Sequence, residues 1–158
     1  MHEMRIDRYD RAILDALQRD GAMTNAGLSE LVNLSASQCS RRRAALEAAG
    51  LIEGYEARLS AARLGFGLRA IVRVSLKDHG RGADQDFARF IDTSGEVVSA
   101  FSVSGDADYV LDVHVPDLAA FAEFVHDRLL PHPLVNQVQS EIVLKTLKDR
   151  QGLDLSMV

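Results

Sequence analysis

The sequence predicts an α+β chain in two parts, three short helices followed by a unit ordered strand, helix, strand, strand, helix, strand. Apolar residues recur at helical spacing up to about residue 48, whereas from residue 68 onward many alternate as half-buried strands do. Between the two rhythms lies Ser60 to Gly67, a short glycine-flanked connector that marks a domain boundary.

Ile6, Ile13, Leu14 and Leu17 define helix one over about 7–19, with Asp7 and Asp10 at its electropositive start and Gly21 closing it. Thr24 or Asn25 caps a second helix carrying Leu28, Leu31 and Val32, and Asn33-Leu34 turns the chain into Ser35. Ser35 and Gln38 have capping-box spacing, so helix three runs over 36–48 and stops at Gly50. On that helix Cys39 and Leu46 share the inward face, while Ser37, Ser40, Arg41 and Ala44 share the outward one, with Arg42 and Arg43 flanking the seam. Leu51 to Leu59 reads as two short strand pieces about Gly54, like the wing that follows a recognition helix.

In the second part Leu68, Ala70, Val72, Val74 and Leu76 form one strand face, and His79-Gly-Arg-Gly82 breaks the strand. Phe87, Phe90 and Ile91 stripe a helix, and Glu96 to Val103 and Tyr109 to Val115 are strands joined at Ser104 to Asp108. Asp117 opens an amphipathic helix with the stripe Leu118, Phe121, Ala122, Val125 and Leu129, and Pro131 and Pro133 end it. Val138, Ile142 and Leu144 mark the last strand. This βαββαβ order is ferredoxin-like, with both helices on one face of an antiparallel sheet. Ile71, Val98, Ala100, Val110 and Val143 are expected on the other face, which is too apolar for water and predicts a covering second copy.

A helix with short hydroxyls at its start and arginines in its middle suits the DNA major groove. The hydroxyls permit close approach, the free amides attract phosphate, and Arg pairs with phosphate or forks onto guanine. The net charge of −5 opposes strong nonspecific binding, but all three lysines lie in the second part and Arg41 to Arg43 concentrate positive charge locally. No apolar run approaches the ~20 residues of a membrane span, and the start lacks a signal peptide's apolar core, so a cytoplasmic location is expected. One cysteine excludes an intramolecular disulfide, and His2, His79, His114, His126 and His132 lack metal-ligand spacing, so neither a metal site nor a cofactor is expected.

Asp10 to Gly21, Leu28 to Ser35, Arg41-Arg42 with Leu46-Glu47, and Gly50 to Tyr55 resemble the DNA-binding half of the Lrp/AsnC (leucine-responsive, feast/famine) regulators. Glu96 to Tyr109 and Val115-Pro-Asp-Leu118 resemble their effector-sensing half. The resemblance implies a winged helix-turn-helix (domain 1–60, helix-turn-helix about 25–44), a connector at 61–67, and a ferredoxin-like sensing and oligomerisation domain of dimeric α/β barrel type at 68–158. It also implies double-stranded DNA and a small effector, usually an amino acid, as partners, with homodimers that assemble further into octamers or other rings.

Carried over by position, Ser35, Ser37, Gln38, Ser40, Arg41 and Arg42 are the DNA candidates. Arg42 has a second reading, pairing with an acid of helix one or two. Arg43 departs from the family's aliphatic residue and either reaches a phosphate or marks altered packing. Ser104, Gly105, Asp106 and Asp108 are the effector candidates: a carboxylate holds an ammonium group, and glycine-turn amides hold a carboxylate. A plain hairpin turn is the alternative for that loop. Leu134 and Ser140 replace a common glycine and threonine of the family. Two rival functions are a small ferredoxin-like enzyme, for which no nucleophile with a base is visible, and a winged helix used only for protein contacts.

Overall fold

The computed structural model describes residues 5–77, 80, 82–149 and 152–157. These residues form two compact units: one holds the described residues up to Arg58 together with those from Leu147 on, and the other is Leu59–Thr146.

In the first unit two aspartates build the cap of α1 (Arg8–Arg19). The Asp7 carboxylate accepts from the amides of Tyr9 and Asp10, and the Asp10 carboxylate accepts in return from the Asp7 amide. Those amides, Asp10's foremost and then Tyr9's, together with Arg42 hold the Asp7 carboxyl below its ordinary pKa against the opposing effect of burial. Thr24 caps α2 (Asn25–Val32) by accepting from the Gly27 amide. Asn33 then takes the left-handed conformation, φ 53°, which Asn tolerates better than most residues and which swings the chain into α3 (Ala36–Ala48). The Ser35 and Gln38 capping box forms as the spacing predicts. Ile13, Leu14, Leu17, Leu28, Val32, Cys39 and Leu46 meet in one core.

Residues 51–59 form no ladder among the described residues, so the two strand pieces about Gly54 are a misreading. Two pieces that short bury little, and an isolated hairpin is marginal in water. The segment's Tyr55 instead turns back onto α3.

The second unit opens with a 3-10 turn at Ala62–Leu64 and lays out β1 (Leu68–Leu76), α4 (Ala83–Asp92), β2 (Val97–Ser102), β3 (Tyr109–Val115), α5 (Leu118–Glu123) and β4 (Val135–Ile142). The sheet order is β2-β3-β1-β4, antiparallel throughout. Ala70, Val72, Val74 and Leu76 pack with Leu111, Val113, Val115, Phe87, Phe121, Phe124 and Leu129, which is the inward face expected of β1 extended across β3 and the helices.

Three details differ from the expected pattern. A register shift between Val97 and Ser99 resets the alternation of β2, so Ala100 pairs with inward Leu111, and Phe101, opposite Val110, joins the outer face instead. Past Glu123 the chain continues as a π-helical stretch, Phe124–Leu129, which lengthens the turn; Phe124 is buried, while Leu118, the first helical residue, is exposed. Leu144 lies beyond β4 and is 95% exposed. The break at His79 to Gly82 falls partly on residues outside those described, as does His2.

His132 sits edge-on to Phe87 and 4.6 Å from the ring of Phe90, and its Nδ1 accepts from the Leu134 amide at 3.3 Å. Burial pushes its pKa down, with Asp86 opposing. The unfolded chain therefore binds this proton more readily, and the contribution is present above pH ~6.5 and lost as pH falls through that value. Stability measured by urea unfolding should decline between pH 7 and 5, and His132→Phe should flatten that decline.

Candidate DNA-reading helix and effector loop

On α3, Ser37, Ser40 and Arg41 are exposed on one side, opposite buried Cys39 and Leu46. Ser35 and Gln38 spend their side chains on the helix start: the Ser35 hydroxyl accepts from the Gln38 amide at 3.2 Å, and the Gln38 carbonyl accepts from the Ser35 amide at 2.9 Å. Arg41 makes no ion pair among the described residues and is exposed.

Arg42 takes the structural alternative. Its Nη1 lies 2.7 Å from buried Asp10 and 2.9 Å from Asp7, with the guanidinium 5.3 Å from the Tyr9 ring centroid. The hydrogen bond to Asp10, ahead of that to Asp7, raises the Arg42 pKa despite some burial. Arg42 thus ties α3 to α1.

Arg43 does not reach outward for a phosphate. Its Nε donates to the Tyr55 hydroxyl at 2.8 Å and to Glu47 at 3.2 Å, Nη1 donates to the Met23 carbonyl at 3.1 Å, and the guanidinium stacks 4.5 Å over the Tyr55 ring. The Tyr55 hydroxyl, then Arg43, hold the Glu47 carboxyl below its usual range. The altered packing expected of this residue is a clamp from α3 onto Met23 and Tyr55.

In the β2–β3 loop, Ser104, Gly105 and Asp106 are exposed. The Asp106 carbonyl accepts from the Ser75 hydroxyl at 3.2 Å. Asp108 is built into the sheet: its amide donates to the Val74 carbonyl at 3.0 Å, its carbonyl accepts from the Val103 amide, and its carboxylate accepts from the Leu76 amide at 2.7 Å. Next to it, Tyr109 donates to Asp84 at 2.8 Å, and burial first, then that carboxylate, push the phenol up to about 12. The Asp84 partnership has no signal in sequence, because 25 positions separate the two.

A cavity of about 380 Å³ lies at the other end of β2 and β3, lined among others by Phe66, Glu96, His114, Pro116, Phe124 and Arg128. Arg128 donates to both Glu96 oxygens, at 2.6 and 2.7 Å, and to the Ser94 hydroxyl at 3.1 Å, with its guanidinium 5.7 Å from the Phe124 ring centroid. Sequence reasoning missed this cluster, which the π-helical stretch and a 32-residue separation conceal. None of the effector candidates lines it. Among the described residues no group of three or more His, Cys, Asp or Glu has the geometry to hold a metal ion, and no helix is long and apolar enough to cross a membrane.

Residues 6–53 match the winged helix-turn-helix DNA-binding family, and residues 69–153 match the Lrp/AsnC ligand binding domain. The chain belongs to the Lrp/AsnC family. It is a DNA-binding transcriptional regulator with a ligand-binding domain, the class the sequence predicted. The leucine-responsive regulatory protein of Escherichia coli K12 is 36% identical over 151 residues, 94% of this chain and 90% of that one. Among solved structures, a Neisseria meningitidis transcriptional regulator in complex with L-Met has 41% identity and a TM-score of 0.93, covering 97% of this chain and 99% of that one. An AsnC family transcriptional regulator from Agrobacterium tumefaciens has 31% identity and a TM-score of 0.90, covering 96% and 99%. The Lrp/AsnC fold places Ser37, Ser40 and Arg41 on an accessible helix and spends Arg42 and Arg43 on holding that helix in place.

Two substitutions separate these duties. Arg42→Ala, which leaves buried Asp10 without its cation, should cost about 2 kcal/mol of stability in denaturant unfolding. Arg41→Ala should leave the unfolding midpoint unchanged and weaken operator binding by ~1 to 3 kcal/mol in a DNA titration.

Proposed function

We propose that the chain reads a pseudo-palindromic DNA site as a homodimer or larger assembly, and that an amino acid bound at the β2–β3 loop shifts its affinity for that site. The carrying observation is the division of α3 into a committed inner side and an outer side that keeps Ser37, Ser40 and Arg41 available. A dimer sets two such helices in successive major grooves, about 34 Å or a multiple apart. Ser35 and Gln38 act by exposing the helix start, whose amides meet a phosphate. A cytoplasmic location accompanies this role.

The dimer rests on the sheet's outer face, where Ile71, Phe101, Val110 and Val143 lie among the Arg69–Asp112 and Arg73–Glu141 pairs. A second copy of that face buries the apolar patch and leaves the charged pairs nearer the rim. Higher assembly into octamers or other rings sets effector loops of neighbouring dimers against each other.

For the effector, exposed Asp106 suits an ammonium group and the Ser104-Gly105 turn suits a carboxylate. The Neisseria meningitidis regulator's L-Met complex supports the amino-acid class. Asp108, already accepting from the Leu76 amide, shapes the loop from behind. The Arg128–Glu96 cavity favours a second seat for the same class of ligand, because it joins charge of both signs to an apolar wall.

A thermal-shift screen against the common amino acids tests the effector. A ligand at 100 times its dissociation constant adds ~2.7 kcal/mol to folded-state stability. Loss of the shift in Asp106→Ala, with retention in Glu96→Gln, is the expected result; the reverse pattern moves the effector to the cavity. Operator binding should fall as salt rises, with a negative slope of log affinity against log salt; salt-independent or absent binding would favour a winged helix used for protein contacts.

A further inference from the structure

We infer that the C-terminal segment 152–157 is a strap that gives the DNA-reading unit a second tether and fixes its orientation; the inference rests on the DNA-reading role proposed for α3. The sequence places this tail with the sensing domain, but its described residues group with the first unit. The chain therefore passes between the units twice, once at Arg58 to Leu59 and again at Thr146 to Leu147. A single crossing leaves rotation about the linker free, whereas two crossings with both ends anchored remove it.

The anchor is specific. Gln18 of α1 forms a reciprocal pair with the tail, its Oε1 accepting from the Leu153 amide at 2.6 Å and its Nε2 donating to the Leu153 carbonyl at 3.2 Å. Gly152 adopts φ 87°, and a Cβ there would stand 2.6 Å from Gln18 Oε1, so only glycine lets the backbone come this close. Leu155 packs against the α1–α3 core from a 3-10 turn, Leu155–Met157, whose Ser156 amide and hydroxyl both donate to Asp154. Arg58 and Asp149, beside the two crossings, pair at 2.8 Å.

The strap makes a distinct demand on DNA binding. A fixed orientation lets an assembly reach paired half-sites only at one helical phase, and a loose one lets it reach either. The test uses the full chain, a chain ending at Thr146, and Leu155→Asp in the full chain, each labelled with a dye at Ala45→Cys. Time-resolved anisotropy of the full chain should show no independent motion of the first unit, and both variants should gain a fast nanosecond component. On DNA, discrimination between in-phase half-sites and half-sites displaced by half a turn should fall from at least about tenfold to near one, with single half-site affinity unchanged. Identical decays in the full chain and both variants would overturn the strap. Absence of operator binding by the full chain would overturn the DNA-reading role and leave the anisotropy result standing.

Discussion

The ion pair between Arg42 and the two aspartates of α1 is the constraint on which the DNA-reading unit depends. Asp7 and Asp10 cap their own helix and, through the same carboxylates, hold the guanidinium of α3. Burying Asp10 is costly unless a cation and amides satisfy it, so the cap and the cross-helix bond stabilise each other. Arg43 repeats the device on the other flank with Tyr55 and the Met23 carbonyl. With both neighbours committed, α3 is presented rigidly and Arg41 remains for a partner.

The sensing unit follows a different constraint, the two-residue period of a strand. One side of the sheet is sealed by α4, α5 and the π-helical stretch; the other carries Ile71, Phe101 and Val110 between ion pairs. Such a surface is neither a solvated face nor a core, which is the composition of an interface centre with a polar rim. The β2–β3 loop stands at one end of these strands and the Arg128 cluster at the other, so ligand seats and assembly surface share one rigid sheet.

Local chemistry was legible in the sequence and long-range chemistry was not. The Ser35–Gln38 box, the Asn33 turn and the inward face of β1 depend on residues a few positions apart, and all three form as read. The slip in β2 arises from a bulge that no alternation announces, and the exposure of Leu118 from a π-helical stretch that mimics an ordinary helix in periodicity. Arg43 was legible as a departure from family pattern, but its partners Met23 and Tyr55 come from separate segments. The pairing of Gln18 with Leu153 spans nearly the whole chain, and the tail's weak periodicity gave no hint of it.

Ligand and operator must influence each other equally if a single equilibrium between assemblies connects the loop to α3. The direct measurement is the affinity of the activating amino acid with and without saturating operator, alongside operator affinity with and without that amino acid. Equal factors in the two titrations, of about fivefold or more, are the predicted result. An amino acid that binds with the same affinity whether or not operator is present would contradict a regulator in which the loop governs the DNA-reading helix.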